Sequence, residues 1–97
     1  MEYKELIKSS EVVMVEFFAS WCPHCQRMMP IVAQIKELLA GEVNIYQFDI
    51  DKNSQLASSE GAESVPTFII YKNGKEQWRE SGEMDGQMLL SKIQSYM

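Results

Sequence analysis

Cys22 and Cys25 are the only cysteines of the chain, and its only histidine, His24, lies between them in the run Trp21-Cys22-Pro23-His24-Cys25. Two thiols separated by two residues can close a small disulfide ring and reopen it, exchanging two electrons each time. A free thiol with a pKa near 8.5 is only about 3% thiolate at neutral pH, whereas motifs of this kind bring the reactive thiol down to roughly 3.5 to 7.5. The run stands where a helical pattern begins, and the unpaired donors and dipole of a helix N-terminus favour an anion. Cys22 is therefore assigned as nucleophile. Cys25, one turn on and facing inward, is assigned as the resolving cysteine that attacks the Cys22 sulfur, so that Cys22–Cys25 is the redox disulfide. His24 is either a cation that tunes Cys22 or an exposed side chain of little effect. A structural zinc site wants four ligands and no second Cys/His pair exists. Haem attachment fails because Gln26, in place of histidine, follows Cys25. No metal and no cofactor is expected.

The elements that must hold this pair follow from hydrophobic patterning. Val12 to Phe18 is almost continuously apolar, as in a strand buried on both faces. Its one charge, Glu16, is either a proton acceptor for Cys25, with a pKa raised by burial, or an end charge reaching solvent. Cys25, Met28, Val32, Ile35 and Leu39 recur at helical spacing, so one stripe of the next helix faces the core. Met28 and Met29 read as core and rim packing. Pro30 falls inside that helix and should kink it, and Gly41 ends it.

Val43 to Ile50 reads as a second, mostly buried strand, parallel to the first because a helix-length crossover joins them. Asp49 and Asp51 at its exit are most simply solvated charges. Asn53 or Ser54 caps a short helix that ends near Gly61. Phe68 to Tyr71 and Lys75 to Ser81 form a hairpin around Asn73-Gly74. Trp78 reads as sheet-face packing. Asp85 or Gly86 opens a closing helix with Met88, Leu89, Ile93 and Tyr96. A short helix over residues 2–9 precedes everything. The order is β-α-β-α-β-β-α after a leading helix, an α/β class with a mixed sheet.

Length and composition bound the rest. The chain of 97 residues, 45% apolar, reads as one domain over residues 1–97. With 9 basic and 14 acidic residues the net charge is -5, and no basic stripe exists to displace counterions from phosphates, so nucleic acid is not an expected partner. No apolar run reaches the roughly 18 to 20 residues that span a bilayer, and no secretory pattern opens the chain. A monomer in the cytoplasm, away from membranes, is expected.

The run Val15-Glu16-Phe17-Phe18-Ala19-Ser20-Trp21-Cys22-x-x-Cys25, with Pro30, Val65-Pro66-Thr67-Phe68 and Lys72-Asn73-Gly74 followed by Gly82, resembles the thioredoxin superfamily. The resemblance implies a thioredoxin fold with a four-stranded mixed central sheet flanked by helices. Only eleven residues precede the first buried strand, so the extra N-terminal strand of many thioredoxins is expected to be missing. It implies thiol-disulfide exchange with disulfide-containing client proteins and an upstream reductase or other dithiol donor. It makes Pro66 a cis-proline opposite the cysteines, and Trp21, Val65, Pro66 and Gly82 the substrate-facing rim.

The departures bear on the direction of electron flow. Pro23-His24 is the dipeptide of periplasmic disulfide oxidases, Glu16 stands where thioredoxins have a buried Asp, and Gln47 replaces a Lys common among them. A favoured thiolate moves such a couple toward the oxidising end. The expected activity is reduction of protein disulfides. The alternatives are an oxidase or isomerase in an oxidising compartment, or a binding module gated by the disulfide.

Overall fold

A computed structural model describes residues 1–97. The chain begins with the short helix α1 (Tyr3–Leu6) and continues as β1 (Val12–Phe18), α2 (Pro23–Leu38), β2 (Val43–Asp49), α3 (Ser54–Ser59), β3 (Thr67–Lys72), β4 (Lys75–Ser81) and α4 (Gly86–Gln94). The four strands form one sheet in the order β2-β1-β3-β4. β1 runs parallel to β2 and antiparallel to β3, and β3 runs antiparallel to β4. No strand precedes β1.

Side chains alternate across a strand, and here the alternation divides the core into two layers. Val12 and Met14 of β1, with Phe68 and Ile70 of β3, pack against Met28, Val32, Ile35 and Leu39 and against Leu89 and Ile93 of α4. Val13, Val15 and Phe17 face the opposite side, with Ile69, Tyr71, Leu6 and Ala57. Glu16 follows Val12 and Met14 at even spacing and so shares the α2 side of the sheet. The helical stripe of α2 is buried throughout, from Cys25 at 1% exposure to Leu39 at 4%.

Pro30 leaves α2 continuous. It removes the donor that the Gln26 carbonyl would meet, but both residues face solvent, on the side away from the packed stripe. Gly41 adopts a φ of +87° two residues past the Leu39 cap. That left-handed turn lets the Leu39 carbonyl accept from the amides of both Glu42 and Val43, at 3.0 Å each. Asn73 and Gly74 have φ of +53° and +79°, the pair of positive angles that a two-residue hairpin turn of the mirror-image type demands. Asp85 caps α4, its carboxylate accepting from Met88 N at 3.2 Å.

The structure corrects the expected burial of β2 and refines the placement of Met88 and Asn53. Only Val43 and Ile45 of β2 are fully buried, because β2 is an edge strand with β1 on one side only. Met88 is half-exposed, off the packed face of α4, while Leu89 and Ile93 carry the contact. Asn53 stands at the N-cap of α3 without making a side-chain cap bond, and its amide instead donates to the Asp49 carbonyl at 3.0 Å. Trp78 packs against the α2-side core, with the Lys92 ammonium 5.7 Å from its ring centre.

Candidate active site

Cys22 occupies the N-cap of α2 in an extended conformation (φ -89°, ψ 115°), and Pro23 follows at the first helical position, where its fixed φ suits the helix and its missing N–H costs nothing. The Cys22 amide donates to the Ala19 carbonyl at 3.2 Å, which closes the turn leaving β1. The Cys22 sulfur accepts from the Cys25 amide at 3.2 Å, and its thiol points to the Val65 carbonyl at 3.7 Å. One sulfur thus receives a helix-start donor while facing the segment before Pro66. Both cysteines are reduced and almost fully buried, in a small cluster with Ala19 against which Phe18, Ile50 and Val65 pack.

Burial pushes the Cys25 thiol up to about 12, helped by its hydrogen bond with Cys22 and by the nearby Glu16 carboxylate, against a lowering hydrogen bond with the Ala19 backbone. Cys25 is the thiol that holds its proton.

Glu16 is fully buried. In the sheet register it lies beside Gln47 of β2 and Phe68 of β3. The Gln47 amide donates to Glu16 Oε1 at 2.9 Å, while Oε2 has no partner. Burial pushes the Glu16 carboxyl up to about 7, against a smaller lowering by the Gln47 hydrogen bond. A carboxyl that titrates near neutrality and whose charge is felt by Cys25 can take and return a proton.

The rim residues lie around this pair. The Val65–Pro66 peptide is cis, Val65 is half-buried and Pro66 buried. Gly82, at φ +105°, donates its amide to the Pro66 carbonyl at 2.8 Å, so the turn after β4 is tied to the segment facing Cys22. Trp21 is 63% exposed, with its indole N–H donating to Asp51 Oδ2 at 2.8 Å. The side chain of His24 is 59% exposed and does not stand free: Nδ1 lies 2.9 Å from Glu83 Oε1 and 3.0 Å from Arg27 Nη2.

Several residues that carry no sequence signal for the site take part. Asp51, expected as a solvated charge, holds Trp21, and the Asp51 amide is itself bound by Asp49 Oδ1 at 2.9 Å. Gln47, which stands in place of a lysine common among thioredoxins, is made the partner of Glu16 by the parallel register. Ala19 acts through its carbonyl, which any residue type supplies, so no sequence signal marks it. Arg27 lies one turn from His24, a legible spacing, but Glu83 comes from the other end of the chain. No helix is long and apolar enough to cross a membrane, and no group of three or more His, Cys, Asp or Glu side chains is placed to hold a metal ion.

The thioredoxin family model matches residues 1–95. Chloroplastic thioredoxin Y of Oryza sativa subsp. japonica is 37% identical over 94 residues, covering 96% of this chain and 56% of the rice protein, so the chain spans little more than half the length of that relative. Thioredoxin of Rickettsia felis is 34% identical over 90 residues, covering 93% of this chain and 86% of its own. Among solved structures, a point mutant of the thioredoxin from Halobacterium salinarum superposes with a TM-score of 0.88 at 30% identity, covering 98% of this chain and 82% of that one. The four-stranded mixed sheet and the helices that flank it match thioredoxin structures, and the chain belongs to the thioredoxin family of thiol-disulfide oxidoreductases.

Proposed function

We propose that this chain reduces disulfides in client proteins, with Cys22 as nucleophile, Cys25 as resolving thiol and Glu16 as the acceptor of the Cys25 proton. The Cys22 thiolate attacks one sulfur of the client disulfide, forming a mixed disulfide and releasing the other client sulfur as a thiolate. Cys25 then loses its proton to Glu16 and attacks the Cys22 sulfur, which closes the Cys22–Cys25 disulfide and releases the second client thiolate. Two electrons pass to the client, and an upstream reductase or other dithiol donor returns them to the pair.

The observation that carries this reading is the asymmetry of the two thiols. Cys22 accepts the Cys25 amide at the start of α2, while Cys25 is buried with its pKa raised to about 12 above a carboxyl that titrates near 7. An attacking sulfur needs stabilisation as an anion, and a resolving one needs a base that acts only when called upon.

Client capture is assigned to the rim residues Trp21, Val65, Pro66 and Gly82. The half-buried Val65 leaves backbone groups for an extended client segment to pair with, a form of strand addition. Pro23 supports Cys22 by starting the helix, and His24 is assigned an electrostatic influence on it. A monomer working in a reducing compartment such as the cytoplasm belongs to the same proposal.

Catalytic reduction of insulin disulfides by a dithiol donor tests it. The wild type should turn over, Cys22→Ser should be inactive, and Cys25→Ser should accumulate a mixed disulfide with the client. Turnover by Cys22→Ser, or a mixed disulfide on Cys25 in place of Cys22, would overturn the assignment.

A further inference from the structure

We propose that Glu83 is a positioning residue for the redox pair: with Arg27 it clamps His24 and offsets the positive charge at the start of α2, which holds the Cys22/Cys25 couple toward its reducing side. The inference rests on the reductant reading above and explains how a Pro-His dipeptide serves it.

The clamp is built from two remote elements. His24 and Arg27 sit on the first two turns of α2, three residues apart, where side chains of a helix meet. Glu83 lies in the connection between β4 and α4, directly after Gly82. The Gly82 amide is tied to the Pro66 carbonyl at 2.8 Å, and this tether brings the Glu83 carboxylate to the start of α2. Arg27 Nε donates to both carboxylate oxygens, at 3.0 and 3.1 Å. That shared contact joins arginine and carboxylate whatever His24 does.

The histidine nitrogen between them has a partner in either protonation state. A charged ring donates Nδ1–H to Glu83 Oε1, 2.9 Å away. A neutral ring with its proton on Nε2 accepts at Nδ1 from Arg27 Nη2, 3.0 Å away. The ring therefore stays docked against the connection after β4. These three are the charged and titratable groups at the clamp, His24 and Arg27 from α2 and Glu83 from the β4–α4 connection. Glu83 is held below the usual carboxylate range by its bonds to His24 and then Arg27, so it carries its negative charge across the neutral range.

The consequence concerns the couple. Positive charge beside a helix-start thiolate stabilises the reduced form and makes the pair a better oxidant. Glu83 cancels one positive charge of the cluster at the point where His24 and Arg27 would otherwise act together on Cys22. Removing its charge leaves Arg27, and His24 whenever its ring is protonated, uncompensated at the start of α2.

The experiment is equilibration of the Cys22/Cys25 pair with reduced and oxidised glutathione, in which protein disulfide and two glutathione thiols exchange with protein dithiol and glutathione disulfide. The proteins compared are wild type, Glu83→Gln, His24→Gln and the double variant. Because the charges are exposed and screened, the expected effect of Glu83→Gln is about three- to tenfold in the equilibrium constant toward the dithiol, roughly 15 to 30 mV. The same substitution on the His24→Gln background should shift the constant by less than half as much on a logarithmic scale. The ring nitrogen resonances of His24 should move in Glu83→Gln, a change that a merely structural role of Glu83 would not couple to the potential. An unchanged constant, a shift toward the disulfide, or an equal shift on the His24→Gln background would overturn the proposal. The absolute potential of the wild type tests the reductant reading and the differences between variants test the clamp, so the two can fail separately.

Discussion

Replacing Glu16 by Gln should make the protein more stable at alkaline pH than the wild type, relative to their difference in acid. Glu16 is fully buried with one unpartnered oxygen, and its carboxyl titrates near 7 where an exposed one titrates near 4.5. A carboxyl whose folded pKa exceeds its unfolded pKa binds more protons when folded, so stability falls as the pH rises from about 4.5 through 7 and levels off above that. At about 1.4 kcal/mol for each pH unit, the loss amounts to about 3 kcal/mol. Glutamine keeps the oxygen that accepts from Gln47 and cannot ionise. Its amide adds unpaired donors at a cost of order 1 kcal/mol, but that cost does not vary with pH. Urea unfolding of both reduced proteins at pH 4.5 and pH 8.5 measures the effect as the change in their stability difference, in which the other titrating groups cancel. The difference should move by about 3 kcal/mol in favour of Glu16→Gln at the higher pH. Parallel stability profiles would refute the claim that a buried carboxyl titrates near neutrality beneath α2.

Three further outcomes are expected. In single-turnover reactions Glu16→Gln should form the mixed disulfide at the wild-type rate and resolve it about 10²- to 10⁴-fold more slowly, the usual contribution of a positioned base; equal resolution rates would remove Glu16 from the mechanism. Gln47→Lys should put a cation beside Glu16 and move the pH dependence of resolution down by about one to three pH units, which the same assay read across pH would detect. Gly82→Ala should lose about 1 to 3 kcal/mol of stability, because φ is +105° there while a methyl group would meet nothing within 4 Å; the cost is therefore backbone strain alone, and an unchanged urea midpoint would contradict it.

How much of this was legible in the sequence depended on the range of the interaction. The buried stripe from Cys25 to Leu39 could be read because a helix repeats within the window of its own residues, and the Asn73-Gly74 turn because its backbone angles require those residue types. The burial of β2 falls short of expectation because an edge position is a property of the sheet, although Asn44, Gln47 and Asp49 already make Val43 to Asp49 less apolar than the central β1. Glu16 stood out as a charge in an apolar run, but a continuous run carries no alternation to say which face it points to. That emerges only when Val12 and Met14 are seen under α2. His24 left two readings open, since what decides its role is Glu83, 59 residues away in sequence and brought close by the tether between Gly82 and Pro66. Asp51 and Gln47 were hidden for the same reason.

The central claim is that the Cys22/Cys25 pair gives electrons to client disulfides. The most direct test is its reduction potential, measured by equilibration in glutathione buffers with the pair quantified by thiol alkylation. The account predicts a value on the reducing side, between roughly -270 mV, the figure for thioredoxin, and about -220 mV. A value above about -180 mV, in the range of the isomerase and the periplasmic oxidase, would contradict it.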